Sequence, residues 1–141
     1  MNNAVNKVIT FAFSAGNDDA DACNSSPASA ANAITVGAIN SNDGLASWTN
    51  WGTCVCIYAL GVSITAAWID GSNITKTISG TSMASPHVCG LADAARQIGL
   101  EPQNFLTSMA SKKTFNCRSP GTGASVNPNL DCSATLSTAC P

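Results

Sequence analysis

Charge is scarce in this sequence. Six Lys and Arg, eight Asp and Glu and a single His are spread over 141 residues, giving a formal net charge of −2. Charged side chains make up 10% of the chain, against about 25% in an ordinary soluble domain. So few cations, scattered rather than clustered, offer a phosphate backbone nothing to hold, and no nucleic-acid partner is expected. Long apolar runs are also missing: none approaches ~18 residues, so no membrane partner is expected either. The opening residues, MNNAVNKVITF, lack the basic-then-apolar layout of a signal peptide. There are no repeated C-x-x-C pairs, and with one His a zinc site is not expected. No internal repeat is visible.

What is present is a globular composition, 45% hydrophobic and rich in Ala, Ser, Thr, Asn and Gly. The length suits one domain, which can bury roughly two-thirds of its unfolded surface. Seven cysteines, at positions 23, 54, 56, 89, 117, 132 and 140, point to an oxidising compartment and thus to an extracellular, secreted protein. The odd count implies a free thiol or a partner outside the chain. Two N-glycosylation triplets, Asn24-Ser25-Ser26 and Asn73-Ile74-Thr75, agree with secretion.

Residues 8–14, in the run VITFAFSAGN, read as a buried parallel strand that delivers a loop at its C-terminal end. Residues 18–32 are small and polar, hence a loop, and AITVGAI, residues 33–39, is a second buried strand. After an irregular stretch, residues 55–59 and 63–69 are further strand candidates, split by Gly61, and residues 71–80 form a short hairpin or a loop. Residues 81 to about 98 are helical and Ala-rich, with Gly99 as C-cap. Residues 102–111 suggest a second, shorter helix, and the chain after Lys113 reads as an irregular tail. Strands joined by loops and followed by one long helix predict an α/β fold with a parallel sheet.

Gly80-Thr81-Ser82-Met83-Ala84 opens the long helix. Gly80 has no Cβ to hinder a substrate backbone. Ser82 falls in the first turn, where unpaired N–H groups and the helix dipole favour developing negative charge. That placement suits a nucleophile, since the oxyanion it creates forms beside it. The same residues also suit a plain Thr/Ser helix cap, and taken alone they leave both readings open.

The flanks decide between them. Residues 80–90 read GTSMASPHVCG, residues 14–17 read SAGN and residues 47–52 read SWTNWG. The chain thereby resembles the subtilisin-like serine proteases, nearest their proteinase K and aqualysin branch. The family motifs are G-T-S-M-A-[ST]-P-H-V-[AS]-G, A-A-G-N and S-F-S-N-Y-G. The resemblance runs from about residue 4 to residue 110, with an echo at GASVNPNL. The esterase motif G-x-S-x-G is absent. The resemblance implies Ser82 as nucleophile and Asn17 as oxyanion-hole donor. It also implies that Ser14, Ala15 and Gly16 form one wall of the pocket for the side chain before the scissile bond, with Gly80 and Thr81 also meeting the substrate.

His87 is not expected to be the base. It lies five positions after Ser82 on one helix, which turns it about 140° away. In the family the orienting Asp and the basic His precede the serine, and this chain has no second His. The resemblance therefore implies the C-terminal half of a three-layer α/β/α subtilisin-like domain over residues 1–113, with residues 114–141 as an irregular Cys-containing tail. The function implied is that of a fragment of a secreted serine endopeptidase acting on polypeptide substrates, inactive alone and possibly partnered by the missing N-terminal half. The alternative is an inactive pseudoprotease fragment that at most binds peptides. The chain's brevity suggests a truncated gene model or a decayed relative. A calcium-binding carboxylate of the proteinase K branch falls on Cys56, so that metal site is expected to be lost and no cofactor is expected. Leu60 replaces a turn proline, and Asp93 falls where the family helix carries a small apolar residue. Cys23 and Cys54 match the aqualysin-type disulfide. Partners for the other cysteines are not assignable from sequence.

Overall fold

A computed structural model describes residues 9–30, 34–102 and 105–106. Three strands, β1 (Ala12–Ser14), β2 (Ile34–Ile39) and β3 (Ile57–Leu60), form a parallel sheet in that order. Val36 pairs with Ser14 on one side and Ile57 on the other. β2 is central, and its first five residues are buried, as a strand covered on both faces must be. Ile34, Val36 and Ala38 face one core with Ala84, Val88 and Ala92 of the long helix. The intervening Thr35 faces the other side, where its hydroxyl donates to Ala28 O at 2.7 Å. There the loop of residues 15–30, with Ala15, Ala22 and Ala28, packs on Val55 and Tyr58. Among the described residues this second face is covered by loop and a short 3-10 turn, Ala22–Asn24, rather than by a helix.

The helix α1 (Thr81–Gln97) lies against all three strands. It buries Thr81, Ala84, Val88, Ala92 and Ala95, a stripe at three- and four-residue spacing. Small side chains on that stripe let the helix approach the sheet closely, and Ser85 fastens it by donating to Ala12 O at 2.9 Å. The helix ends as expected: Gly99 N–H bonds Arg96 O at 3.0 Å and Leu100 N–H bonds Ala95 O at 2.9 Å, a Schellman closure with Gly99 left-handed at φ +76°.

The elements differ from expectation in two places. Where a strand over residues 8–14 was expected, β1 is Ala12–Ser14, its three residues opposite Ile34, Thr35 and Val36 of β2. Residues 63–69 do not join the sheet. Ile64–Ala67 (β4) pairs antiparallel with Thr75–Ile78 (β5) as a separate hairpin. Most of its residues are exposed, so no buried face draws it into the sheet. Asp93 is also exposed, and accepts from Gln97 Nε2 at 2.9 Å; no buried carboxylate burdens the helix. The second helix suggested at 102–111 falls largely, and the tail at 114–141 wholly, outside the described residues.

Candidate active site

The site forms where the loop leaving β1 meets the start of α1, at the C-terminal edge of the parallel sheet, the edge at which open α/β sheets place their sites. Two contacts bring these segments together. Gly80 N–H donates to Gly61 O at 2.8 Å, anchoring the helix start to the end of β3. Ala15 N–H donates to Val36 O at 2.9 Å, carrying the β1 ladder one residue into the loop.

Helix starts leave N–H groups unpaired. Gly80, at the N-cap, has no side chain to accept from them. Asn17 fills that role from 64 residues away: its Oδ1 accepts from Thr81 N–H and from Thr81 Oγ1–H, both at 2.9 Å. A backbone N–H can only donate, so this contact fixes which end of the Asn17 carboxamide is oxygen. Nδ2 is left pointing elsewhere, exposed and with no partner among the described residues. Thr81 is fully buried, and its Oγ1 also accepts from Gly16 N–H at 3.2 Å. Its side chain thus belongs to the inner support of the site rather than to a surface that meets a substrate.

Ser82 follows as the second residue of α1, exposed, with neither its hydroxyl nor its N–H bonded among the described residues. A Cβ placed on Gly80 would lie 3.7 Å from Asn17 Nδ2 and 3.8 Å from Ser82 N. Two free donors therefore flank one small space that the missing Gly80 side chain leaves open. His87 lies further along the helix, exposed, its Nδ1 2.8 Å from Met83 O. A carbonyl only accepts, so Nδ1 carries the proton; the ring lies five positions past Ser82 on the same helix, turned about 140° from it.

The residue that sequence reasoning missed is Asn50. It is fully buried. Its Oδ1 accepts from Asp18 N–H at 2.9 Å and Ala20 N–H at 3.2 Å, while Nδ2 donates to Ala15 O at 3.0 Å. Its backbone N–H donates to Gly16 O at 3.0 Å. One side chain thus braces the loop on both sides of Asn17, and Ala15 and Gly16 turn their carbonyls toward it. Gly16 has φ +110°, and a Cβ there would collide with the Asn50 carboxamide, so no other residue fits. The motif SWTNWG contains Asn50, but nothing in it signals which backbone groups the side chain meets.

Cys23 and Cys54 are bridged, with Cα atoms 5.2 Å apart, as the resemblance implied. The bridge ties the loop to the 48–54 segment beside backbone bonds from Ala22 N–H to Trp51 O at 2.8 Å and Trp51 N–H to Ala20 O at 3.0 Å. Cys56 is also disulfide-bonded. Cys89 is free and exposed on α1.

Comparison with known proteins places this geometry. The Peptidase S8 model, described as the subtilase family, matches residues 1–113. The chain belongs to the subtilase family. Its sequence is 52% identical over 102 residues to the subtilisin-like proteinase Spm1 of Pyricularia oryzae, covering 72% of this chain and 19% of that protein. It is 47% identical over 118 residues to a cuticle-degrading serine protease of Arthrobotrys oligospora, covering 79% of this chain and 29% of that protein. The crystal structure of a cold-adapted subtilisin-like serine proteinase superposes with a TM-score of 0.67 at 46% identity, over 74% of this chain and 38% of that one. The subtilisin-like α/β fold anticipated from the motifs therefore holds for this subtilase. The chain spans well under two-thirds of each of these relatives. Among its described residues, no helix is long and apolar enough to cross a membrane.

Proposed function

We propose that this chain carries the nucleophile and the oxyanion donors of a secreted serine endopeptidase, and that a segment outside the chain supplies the base and its orienting carboxylate. Ser82 Oγ attacks the carbonyl carbon of a peptide bond. The displaced electron pair collects on the carbonyl oxygen, between Asn17 Nδ2 and Ser82 N–H. The tetrahedral species collapses to an acyl-Ser82 ester as the amine leaves with the proton that the base took from Ser82 Oγ, and water then hydrolyses the ester. Half-buried Ser14 and the backbone of residues 14–16 border the substrate, and Gly80 leaves the room it needs. The observation that carries this reading is the carboxamide of Asn17: its oxygen is pinned by Thr81, and its nitrogen is left free beside an exposed serine at a helix N-terminus. A donor of this kind supplies roughly 2.7–4 kcal/mol of transition-state stabilisation, a magnitude measured on subtilisin itself.

Secretion is supported by the seven cysteines and by the Cys23–Cys54 bridge, which a reducing cytosol does not maintain. Calcium at the position of Cys56 does not fit: a disulfide sulfur is no ligand for a hard cation that takes oxygen donors. The reaction proposed needs no cofactor.

Fluorophosphonate labelling tests the reading. The purified 141-residue chain should label barely above background, because its one histidine lies five positions along α1, turned about 140° from Ser82, and leaves Ser82 without a base. Adding the N-terminal part of a close subtilase domain, with its Asp and His, should give labelling that Ser82→Ala abolishes. Stoichiometric labelling of the isolated chain would overturn the division of the site. Failure of every complementing segment would favour an inactive, peptide-binding fragment.

A further inference from the structure

We propose that Asn73, and not Asn24, is a site of N-linked glycosylation. Both asparagines stand in Asn-x-Ser/Thr triplets, neither belongs to the hydrolytic site, and the fold treats them differently. Asn73 lies in the turn that joins β4 to β5, and every residue from 69 to 75 is exposed. Its side chain has no partner among the described residues, and Thr75, at the start of β5, has a hydroxyl that is equally unengaged. Thr75 follows two residues later as the first residue of β5, and neither side chain is tied to the fold. The amide and the hydroxyl that a transferase must read together can therefore approach each other without loss of any contact of the fold. A branched sugar at this tip meets no neighbouring wall. It would also cover Ile69, 87% exposed, and Ile74, 46% exposed, which otherwise leave apolar surface bare at the hairpin end.

Asn24 is fixed instead. It closes the 3-10 turn Ala22–Asn24, where its N–H donates to Asp21 O and that of Ser25 to Ala22 O, both at 3.1 Å. Ser25 O accepts from Ser29 N–H at 2.9 Å, and the preceding residue is bridged to Cys54. Presenting this triplet to an enzyme means breaking the turn that the disulfide holds.

The reaction is a transfer from an oligosaccharide carried on a lipid diphosphate. The Asn73 Nδ2 forms a bond to the anomeric carbon, the bond from that carbon to the diphosphate oxygen breaks, and its electron pair leaves with the lipid diphosphate. The amide nitrogen gives up one proton to the transferase. The proposal rests on the reading of the chain as a secretory protein, and the test separates the two. The full chain, fused to a cleavable leader, is translated with microsomes, so that it enters the lumen whatever its native route. Protease-protected product should run at higher mass, and peptide N-glycanase should remove the shift and convert Asn73 alone to Asp. Asn73→Gln or Thr75→Ala should abolish the shift, Thr75→Ser should retain part of it and Asn24→Gln should leave it intact. Modification of Asn24 alone, of both residues or of neither in protected chains would overturn the proposal. The secretory reading is checked separately, by finding the natural protein in the medium or in the cells.

Discussion

At the scale of the residue, Asn50 and Thr81 decide how firmly the site is built. Asn50→Ala removes three hydrogen bonds and strands the carbonyl of Ala15 and the amides of Asp18 and Ala20. Water enters only part of the space, so the substitution should cost about 2–4 kcal/mol in urea unfolding. Asn50→Asp keeps the acceptor but turns an oxygen toward Ala15 O, and should be no better. Thr81→Val keeps the backbone N–H that Asn17 accepts, yet strands Gly16 N–H and loses one of the two bonds on Asn17 Oδ1. It should cost about 1–3 kcal/mol, and Thr81→Ser should restore most of that. Asn17 and Ser82 could be singled out in the sequence because each sits in a contiguous motif. Asn50 was quoted within a motif but not understood, since its partners lie 30 to 35 positions away and no local pattern records such a contact. Thr81 was expected to meet substrate because the family resemblance implied it; burial of a single polar residue at a helix start has no periodicity by which a sequence could show it.

At the scale of the element, legibility followed burial. β2 reads clearly because both of its faces are covered, and α1 because its apolar stripe repeats at helical spacing and ends at Gly99. The β4–β5 hairpin was ambiguous because a short, exposed strand pair carries no alternation between core and solvent; what holds it is its own pairing, including a Thr65–Thr77 hydroxyl contact of 2.7 Å. β3 carries a titratable group whose burial has a measurable consequence. Tyr58 pairs with Gly37 of β2 and packs its ring where a Cβ on Gly37 would collide. Burial pushes its hydroxyl from 10.0 up to about 12. An acid whose pKa is raised on folding holds its proton in the native state while the unfolded chain loses it. Its contribution is therefore complete below pH 10.0 and lost as pH rises toward about 12. That loss should approach about 2–3 kcal/mol at the upper end of the window. Unfolding midpoints measured between these pH values should fall, and Tyr58→Phe should flatten this part of the profile.

At the scale of the whole molecule, two features set how far the chain can stand alone. The first is the Cys23–Cys54 bridge, which closes a 31-residue separation between the two segments that carry Asn17 and Asn50. Restricting the unfolded chain over such a loop is worth roughly 3–4 kcal/mol. The paired substitution Cys23→Ser with Cys54→Ser should lower the unfolding free energy by about that amount and broaden the resonances of residues 15–20. The second is the outer side of α1. Cys89 there is free and exposed, and Leu91, Ile98 and Leu100 at or beyond the helix are 47% to 69% exposed. A helix in the middle of a layered α/β domain normally buries such residues, and this chain covers 38% of the structural relative. The segment proposed to complete the site is therefore expected to dock over α1, and Cys89 serves as a probe that does not depend on catalysis. In the isolated chain its thiol should react with a maleimide at the rate of an accessible cysteine. Adding the complementing N-terminal segment should slow that reaction by an order of magnitude or more, in parallel with the gain of Ser82 labelling. Cys89→Ala should leave complementation intact, since an alanine suits this position in the family motif. Labelling of Ser82 restored with Cys89 still fully reactive would show that the segment completes the site without covering the helix.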